Sequence, residues 1–196
     1  MSMNIQENVI LAPYTTYKIG GPARYFIEAD NEDKITGAVS WARAQSMPYF
    51  ILGGGSNILV SDNGFNGLVV NIQHTTYNIQ HTIIEADAGL GLPKLVETAI
   101  NNGLKGIEWA SGIPGTFGGA IRGNAGAFGG EIKDIIVSVR FLDNNGNIRE
   151  FNNNECQFMY RGSIFSAQGP LRQSSSEASG SAVGGKNNSE YIILSA

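Results

Sequence analysis

The alternation of strand and helix patterns places this chain in the mixed α and β class. Three observations carry that reading. A strand–helix–strand order runs across residues 24–52, a second amphipathic helix lies among short apolar strands in the second half, and two glycine-rich loops follow regular elements. At 196 residues and 42% hydrophobic, the chain can bury one core, or one full domain plus a fragment.

The elements follow in order. Residues 24–29 (RYFIEA) read as a strand. Asp30 can then cap a helix over 31–45, with Asp33 near its positive end. Ile35, Ala38, Val39 and Ala42 give that helix one apolar face. The apolar strand 48–52 runs straight into the first glycine loop, and 58–62 returns as extended chain. Further strands are read at 68–72 and 82–86. Pro93 suits the first turn of the second helix, whose apolar side is Leu92, Leu95, Val96, Ala99 and Ile100. Gly103 suits a left-handed cap. Thr116 can cap a short helix from Phe117. A strand over 135–142 turns at Asp143-Asn144-Asn145-Gly146 and returns over 148–151. Residues 166–190 are rich in serine, glycine and asparagine and read as a flexible linker. Residues 191–196 read as a strand that needs a sheet to enter.

The 26 glycines are roughly twice the usual share and cluster at 53–55 and 103–130. Glycine tolerates positive φ and lets a ligand approach the main chain, and runs of it can turn N–H groups toward an anion. In Leu52-Gly53-Gly54-Gly55-Ser56-Asn57, the glycines can wrap a phosphate and Ser56 can donate to it. The alternative is a tight turn. The extended chain after Asn57 departs from the strand–glycines–helix order of the common dinucleotide fingerprint, which disfavours a Rossmann domain. In the second loop, Gly112 to Ala120 followed by Asn124-Ala125-Gly126-Ala127, helical glycines at 118 and 119 would each cost about 1 kcal/mol against alanine. A flat ring lying on the backbone would explain that cost, and so would close helix–sheet packing. Together the two loops suggest a long ligand with a pyrophosphate, most simply a dinucleotide cofactor.

The remaining composition narrows the class. Net charge is −4 with no basic block, which disfavours nucleic acid. Cys156 alone cannot form an internal disulfide, which fits a reducing compartment, and it reads as a half-buried thiol. No apolar run reaches the roughly 18 residues of a membrane span, and the first residues lack a signal-peptide pattern. A cytoplasmic protein is expected. No metal-ligand spacing is visible. His74 and His81 read as solvated loop histidines, and Glu108 and Glu131 as structural carboxylates at glycine-rich turns.

Six segments together resemble the UDP-N-acetylenolpyruvoylglucosamine reductase family: 14–23 (YTTYKIGGPA), 52–57 (LGGGSN), 106–109 (GIEW), 112–120 (GIPGTFGGA), 124–129 (NAGAFG) and 158–165 (FMYRGSIF). The resemblance implies an α+β fold, a two-lobed FAD-binding module of the vanillyl-alcohol-oxidase type. A small α/β lobe would span 1–72 and a larger α+β lobe 73–165, with FAD held non-covalently between them. Tyr17, Ile19, Gly53, Gly54, Gly55, Ser56, Asn57, Ile113, Pro114, Gly115, Thr116, Gly118, Gly119, Asn124 and Gly126 would contribute to the cofactor site. NADPH would reduce the flavin, and the substrate would be a UDP-sugar carrying an enolpyruvyl group. Arg161 matches the family's arginine facing the enolpyruvyl carboxylate, where a bidentate guanidinium can hold developing charge. Tyr160 would support it.

The family's later substrate-binding domain carries a proton-donating serine in a Gly-Ser-Phe-Phe type motif and a glutamate near its end. Neither motif occurs in these residues, and Ser163 belongs to the arginine motif. The resemblance therefore implies a C-terminally truncated region that retains FAD and has little or no turnover. A flavin-holding fragment and another FAD oxidoreductase of the same fold stay open. The sequence leaves the oligomeric state open.

Overall fold

The computed structural model describes residues 3–166, 181–183 and 191–196. In chain order the principal elements are β1 (Gln6–Ile10), β2 (Pro22–Ala29), α1 (Glu32–Ala44), β3 (Tyr49–Leu52), β4 (Ile58–Val60), β5 (Phe65–Ile72), β6 (Tyr77–Gln80), β7 (Ile83–Ala86), α2 (Leu92–Asn101), α3 (Phe117–Arg122), β8 (Gly126–Ala127), β9 (Gly130–Glu131), β10 (Ser138–Leu142), β11 (Ile148–Asn152) and β12 (Ile192–Ser195). They divide into two units, the first running through Gln73 and taking in 181–183, the second comprising 74–166 and 191–196.

In the first unit, β1, β2, β5 and β3 form one sheet in that order. β5 is parallel to both β2 and β3, while β1 is antiparallel to β2. Such parallel pairing requires a crossover, and α1 supplies it between β2 and β3. Successive residues of a strand face opposite sides. Phe26 and Val69 therefore join Leu11, Leu52 and Val60 in one apolar cluster, leaving Ile27 and Val70 for the opposite face. The apolar stripe read from the sequence is observed, with Ile35, Ala38, Val39 and Ala42 all buried. The cap is one residue later than expected. Asn31, not Asp30, has the extended backbone of an N-cap, and its side chain accepts from Lys34 N at 2.9 Å. Asp30 instead pairs with the Lys34 ammonium at 2.7 Å.

In the second unit, β6 and β7 form a hairpin turned at His81, whose φ is +57°. β10 is the centre of a three-stranded antiparallel sheet with β11 and β12. The strand expected at 191–196 enters that sheet as β12. Main-chain bonds from Ala88 N to Leu194 O and between Ala86 and Ala196 extend its pairing. Phe141 sits amid Phe151, Phe165 and Tyr191, with ring centroids 4.5, 5.4 and 5.0 Å away. Cys156 joins this core fully buried, where the expectation was half-burial. Burial pushes its thiol up to about 11, so it is protonated at neutral pH.

Most of the serine- and glycine-rich stretch expected to be a linker, 167–180 and 184–190, lies outside the described residues. Within it, the backbone of Ser181–Val183 pairs in parallel with β4.

Candidate functional site

In the first unit, β3 delivers the loop that begins at Gly53. Gly55 has φ +64°, and a Cβ there would stand 2.0 Å from the carbonyl oxygen of Tyr14. Glycine is therefore required for the segment after β1 to lie on the loop, where Thr16 N donates to Gly55 O at 3.0 Å. From the other side, buried Asn71 donates its amide to Leu52 O and Gly53 O at 3.2 and 3.3 Å. Thr15 is buried too and donates to Ile19 O at 3.1 Å. The loop thus fixed borders a cavity of about 230 Å³ lined by Gly53, Gly54, Thr15, Thr16, Lys18 and Asn71, among others. Of the residues expected to hold cofactor here, Tyr17 and Ile19 are 63% and 48% exposed, Asn57 is exposed, and Ser56 is half-buried. The Thr15 hydroxyl is spent within the segment, and the Lys18 ammonium gives one of its three protons to Pro13 O at 3.0 Å, so bare main chain, the Thr16 hydroxyl and the rest of that ammonium are the donors that fit an anionic diphosphate.

The second glycine loop lies along residues 88–92 of its own unit. Leu92 N donates to Gly115 O, Phe117 N to Leu90 O and Gly118 N to Ala88 O, at 2.8–2.9 Å. Thr116 caps α3 as expected, its hydroxyl accepting from Gly119 N. The N–H groups of 117, 118 and 119 are thus committed within the unit. Gly115 turns the chain at φ +109°, while Ile113 is half-buried and Pro114 exposed. The two helical glycines differ. A Cβ on Gly118 would meet the Ala88 Cβ at 2.7 Å, so this glycine serves close packing. A Cβ on exposed Gly119 would meet only the Thr116 hydroxyl, at 3.4 Å.

Beyond α3, Asn124 adopts φ +40° and is buried. Its amide donates to Glu131 and to Met159 O at 3.0 Å, and its oxygen accepts from Lys133 N at 3.0 Å. Those bonds make Asn124 a hub that joins three segments. Glu131 also pairs with the Lys133 ammonium at 2.6 Å. The lysine bond first, and the Asn124 bond next, hold its carboxyl below the usual range. Glu108 is likewise lowered by main-chain donors, its own N–H first and then Gly106 N at 2.8 Å. Both glutamates are structural acceptors at glycine-rich turns, as the sequence suggested. β8 and β9 are joined by the two-residue turn Phe128–Gly129, both at positive φ, as this hairpin type demands. Gly126 packs at the base of that hairpin, where a Cβ would meet Glu131 Cγ and Gly130 O at 2.9 Å.

Tyr160 and Arg161 form a second two-residue turn, closed by Met159 N to Gly162 O at 2.9 Å and Gly162 N to Met159 O at 3.1 Å. Arg161 has φ +56°, a position where a turn normally wants glycine. Its Nη1 donates to Gly126 O at 3.2 Å, joining the two turns. Its guanidinium also lies 5.6 Å from the Tyr160 ring centroid, and Tyr160 is 83% exposed. Ser163 is buried and spent on structure, donating to Arg122 O at 2.9 Å and accepting from Phe165 N at 3.3 Å. The sequence reading therefore brought together Tyr160, Arg161, Asn124 and Gly126. It missed Phe128, which is 96% exposed at φ +51° at the tip of the β8–β9 hairpin. The signal was the Ala127-Phe128 tip between Gly126 and the pair Gly129-Gly130. It also missed the partner of His74, whose Nε2 lies 3.1 Å from the Asp87 carboxylate rather than in solvent.

The profile of the FAD binding domain family matches residues 23–152. This chain belongs to that family. It is 42% identical over 158 residues to the UDP-N-acetylenolpyruvoylglucosamine reductase of Alkaliphilus oremlandii, covering 80% of this chain and 52% of that protein. It is 41% identical over 168 residues to the reductase of the same name from Clostridioides difficile, covering 85% and 55%. The crystal structure of UDP-N-acetylenolpyruvylglucosamine reductase from Thermus caldophilus matches with a TM-score of 0.75 at 29% identity, over 99% of this chain and 61% of that one. The 6-hydroxy-D-nicotine oxidase of Arthrobacter nicotinovorans shares the fold, with a TM-score of 0.60 at 15% identity. The fold is α+β, the FAD-binding module of the vanillyl-alcohol-oxidase type, and FAD is its cofactor. The chain spans about half the length of the curated relatives it matches.

Proposed function

We propose that this FAD binding domain serves the NADPH-dependent reduction of UDP-N-acetylenolpyruvoylglucosamine to UDP-N-acetylmuramate, a step of peptidoglycan synthesis in the cytoplasm. Bound FAD supplies the two-electron chemistry that no side chain of this protein can. The residues of the chain position and bind. Gly53 and Gly54, with Thr16 and Lys18 around their cavity, take the diphosphate of the cofactor. Tyr17, Ile19, Gly55, Ser56 and Asn57 complete that end, and Ile113, Pro114, Gly115, Thr116 and Gly119 present the accessible backbone of the second loop. Arg161 binds the enolpyruvyl carboxylate of the substrate and stabilises negative charge that develops beside it.

The observation that supports this reading is the Arg161 turn. An arginine in a backbone conformation that disfavours it, tied to the glycine hairpin and near the Glu131 carboxylate without a direct ion pair to it, supports a role in holding a ligand. The chain should take up FAD with a visible flavin spectrum, and NADPH should bleach that spectrum without oxygen. Adding UDP-N-acetylenolpyruvoylglucosamine to the reduced protein should restore it slowly at most, since the chain spans about half the length of its relatives. A preparation that cannot be loaded with FAD, or whose reduced form is reoxidised by a simple sugar or hydroxy acid instead, defeats the proposal.

A further inference from the structure

The buried run of β5, Leu68 to Ile72, is aliphatic except at Asn71, which is only 2% exposed. Burying an amide costs free energy that its hydrogen bonds at best recover, and an aliphatic residue there would stabilise the strand more. The sheet alone therefore does not call for an asparagine. Its hydrogen bonds show what does. Nδ2 donates to Leu52 O at 3.2 Å and to Gly53 O at 3.3 Å, and Oδ1 accepts from Gln73 Nε2 at 2.5 Å. Two carbonyls can be met only by the –NH2 end, so the orientation of the amide is forced and both of its protons are engaged. Gln73 is itself anchored, its main-chain N–H donating to Ala29 O at 2.8 Å.

β3 ends at Leu52, opposite Asn71, where the chain leaves the sheet for the glycine loop. The Asn71 side chain takes over there from the main-chain ladder. A trans peptide sets its N–H opposite its C=O, so pinning the Leu52 and Gly53 carbonyls fixes the direction of the Gly53 and Gly54 N–H groups. Glycine has no side chain to restrict these peptides, and without Asn71 they are free to turn. Gly53, Gly54, Asn71 and Gln73 all border the same cavity. We infer that Asn71 is a positioning residue for FAD, holding the peptide groups of the first glycine loop in the orientation that receives the cofactor, while Gln73 sets the Asn71 amide. Asn71 has no proton left to give to the cofactor itself, so it acts through the loop. The inference rests on the cavity taking the diphosphate, as proposed above.

The test is calorimetric titration of FAD into the whole chain and into its N71L, N71D and V70A variants, with circular dichroism confirming that each is folded. FAD should bind N71L at least about tenfold more weakly than the parent. V70A opens a cavity on the opposite face of the same strand and lowers stability without touching the loop, so its FAD affinity should stay within about twofold of the parent. N71D is nearly isosteric and sets a carboxylate against two carbonyls. It should bind weakly at about pH 8 and recover at least about threefold relative to the parent by about pH 5, where the protonated carboxyl again donates. Tyr14 and Lys18 beside the cavity, and Glu28 beside Tyr14, are present in both chains and cancel in that ratio. If N71L does not fold, the pH profile of N71D decides. N71L affinity equal to that of V70A, or an N71D-to-parent ratio that does not change with pH, overturns the inference and leaves Asn71 as a brace of the sheet. No FAD uptake by the parent overturns it together with the reading it rests on. A chain that holds FAD through Asn71 yet is reoxidised by a simple sugar defeats the function proposed above and leaves this inference standing.

Discussion

At the level of one residue, Arg161 holds a strained backbone in the turn proposed to bind the substrate carboxylate. Its φ of +56° costs an L-residue about 1–2 kcal/mol relative to glycine. The Asn124 amide on Met159 O and the paired main-chain bonds of the turn hold it there regardless. Replacing Arg161 with glycine should therefore leave the protein as stable or raise stability by about 1 kcal/mol in urea. The same variant should lose binding of UDP-N-acetylenolpyruvoylglucosamine by the FAD-loaded chain, because the carboxylate has no partner. R161K should keep the strain and part of the binding. If R161G destabilises the chain, Arg161 is a structural residue and its exposure at the turn has another cause.

At the scale of elements, the glycines of α3 divide into two kinds. Gly118→Ala forces a methyl to within 2.7 Å of the Ala88 Cβ and 3.1 Å of its carbonyl oxygen, and should cost about 1–3 kcal/mol. Gly119→Ala meets little and should raise helix stability by up to about 1 kcal/mol, while FAD binds more weakly if the cofactor lies on that bare backbone. Urea melts and FAD titrations of both variants read the difference, and unaltered FAD affinity in G119A removes Gly119 from the cofactor site. This division also marks how far the sequence was legible. The helices, the strands of the parallel sheet and the Thr116 cap could be read because apolar period and capping chemistry are local. The Asn31 cap was missed by one residue because Asp30 and Asn31 both carry a capping oxygen, and only the start of α1 at Glu32 decides between them. β8 and β9 were missed because two-residue strands leave no periodic trace. Whether a glycine faces a ligand or another strand depends on contacts far apart in sequence, such as Gly118 with Ala88 and Gly55 with Tyr14. The role of Asn124 depends on partners up to 35 residues away.

For the whole molecule, the carboxylates set how stability responds to acid. Asp143 accepts from Asn147 N first and from Asn145 N as well, which lowers its pKa; Glu131 and Glu108 are lowered by their own donors. A carboxyl whose folded pKa lies below its unfolded value contributes stability that is fully present above the unfolded value and is lost as pH falls through the folded one. With unfolded values of about 3.9 for aspartate and 4.3 for glutamate, the chain should lose stability from about pH 5 downward. At the alkaline end the sign reverses. The Cys156 thiol is pushed up to about 11 and Tyr14 is also raised, mainly by burial, so the unfolded chain releases those protons first and stability falls as pH rises above about 8.5. Between these limits the stability should be nearly flat. Asp143→Asn isolates one contribution, because an asparagine oxygen can still accept from Asn145 N and Asn147 N at the 2.8 and 2.9 Å geometry of the turn. The variant should fold normally at neutral pH and lose less stability than the parent between about pH 5 and pH 3. Urea midpoints across that range measure it. An unchanged acid slope in D143N would mean that the Asp143 turn is already formed in the unfolded chain, so that its carboxyl titrates alike in both states.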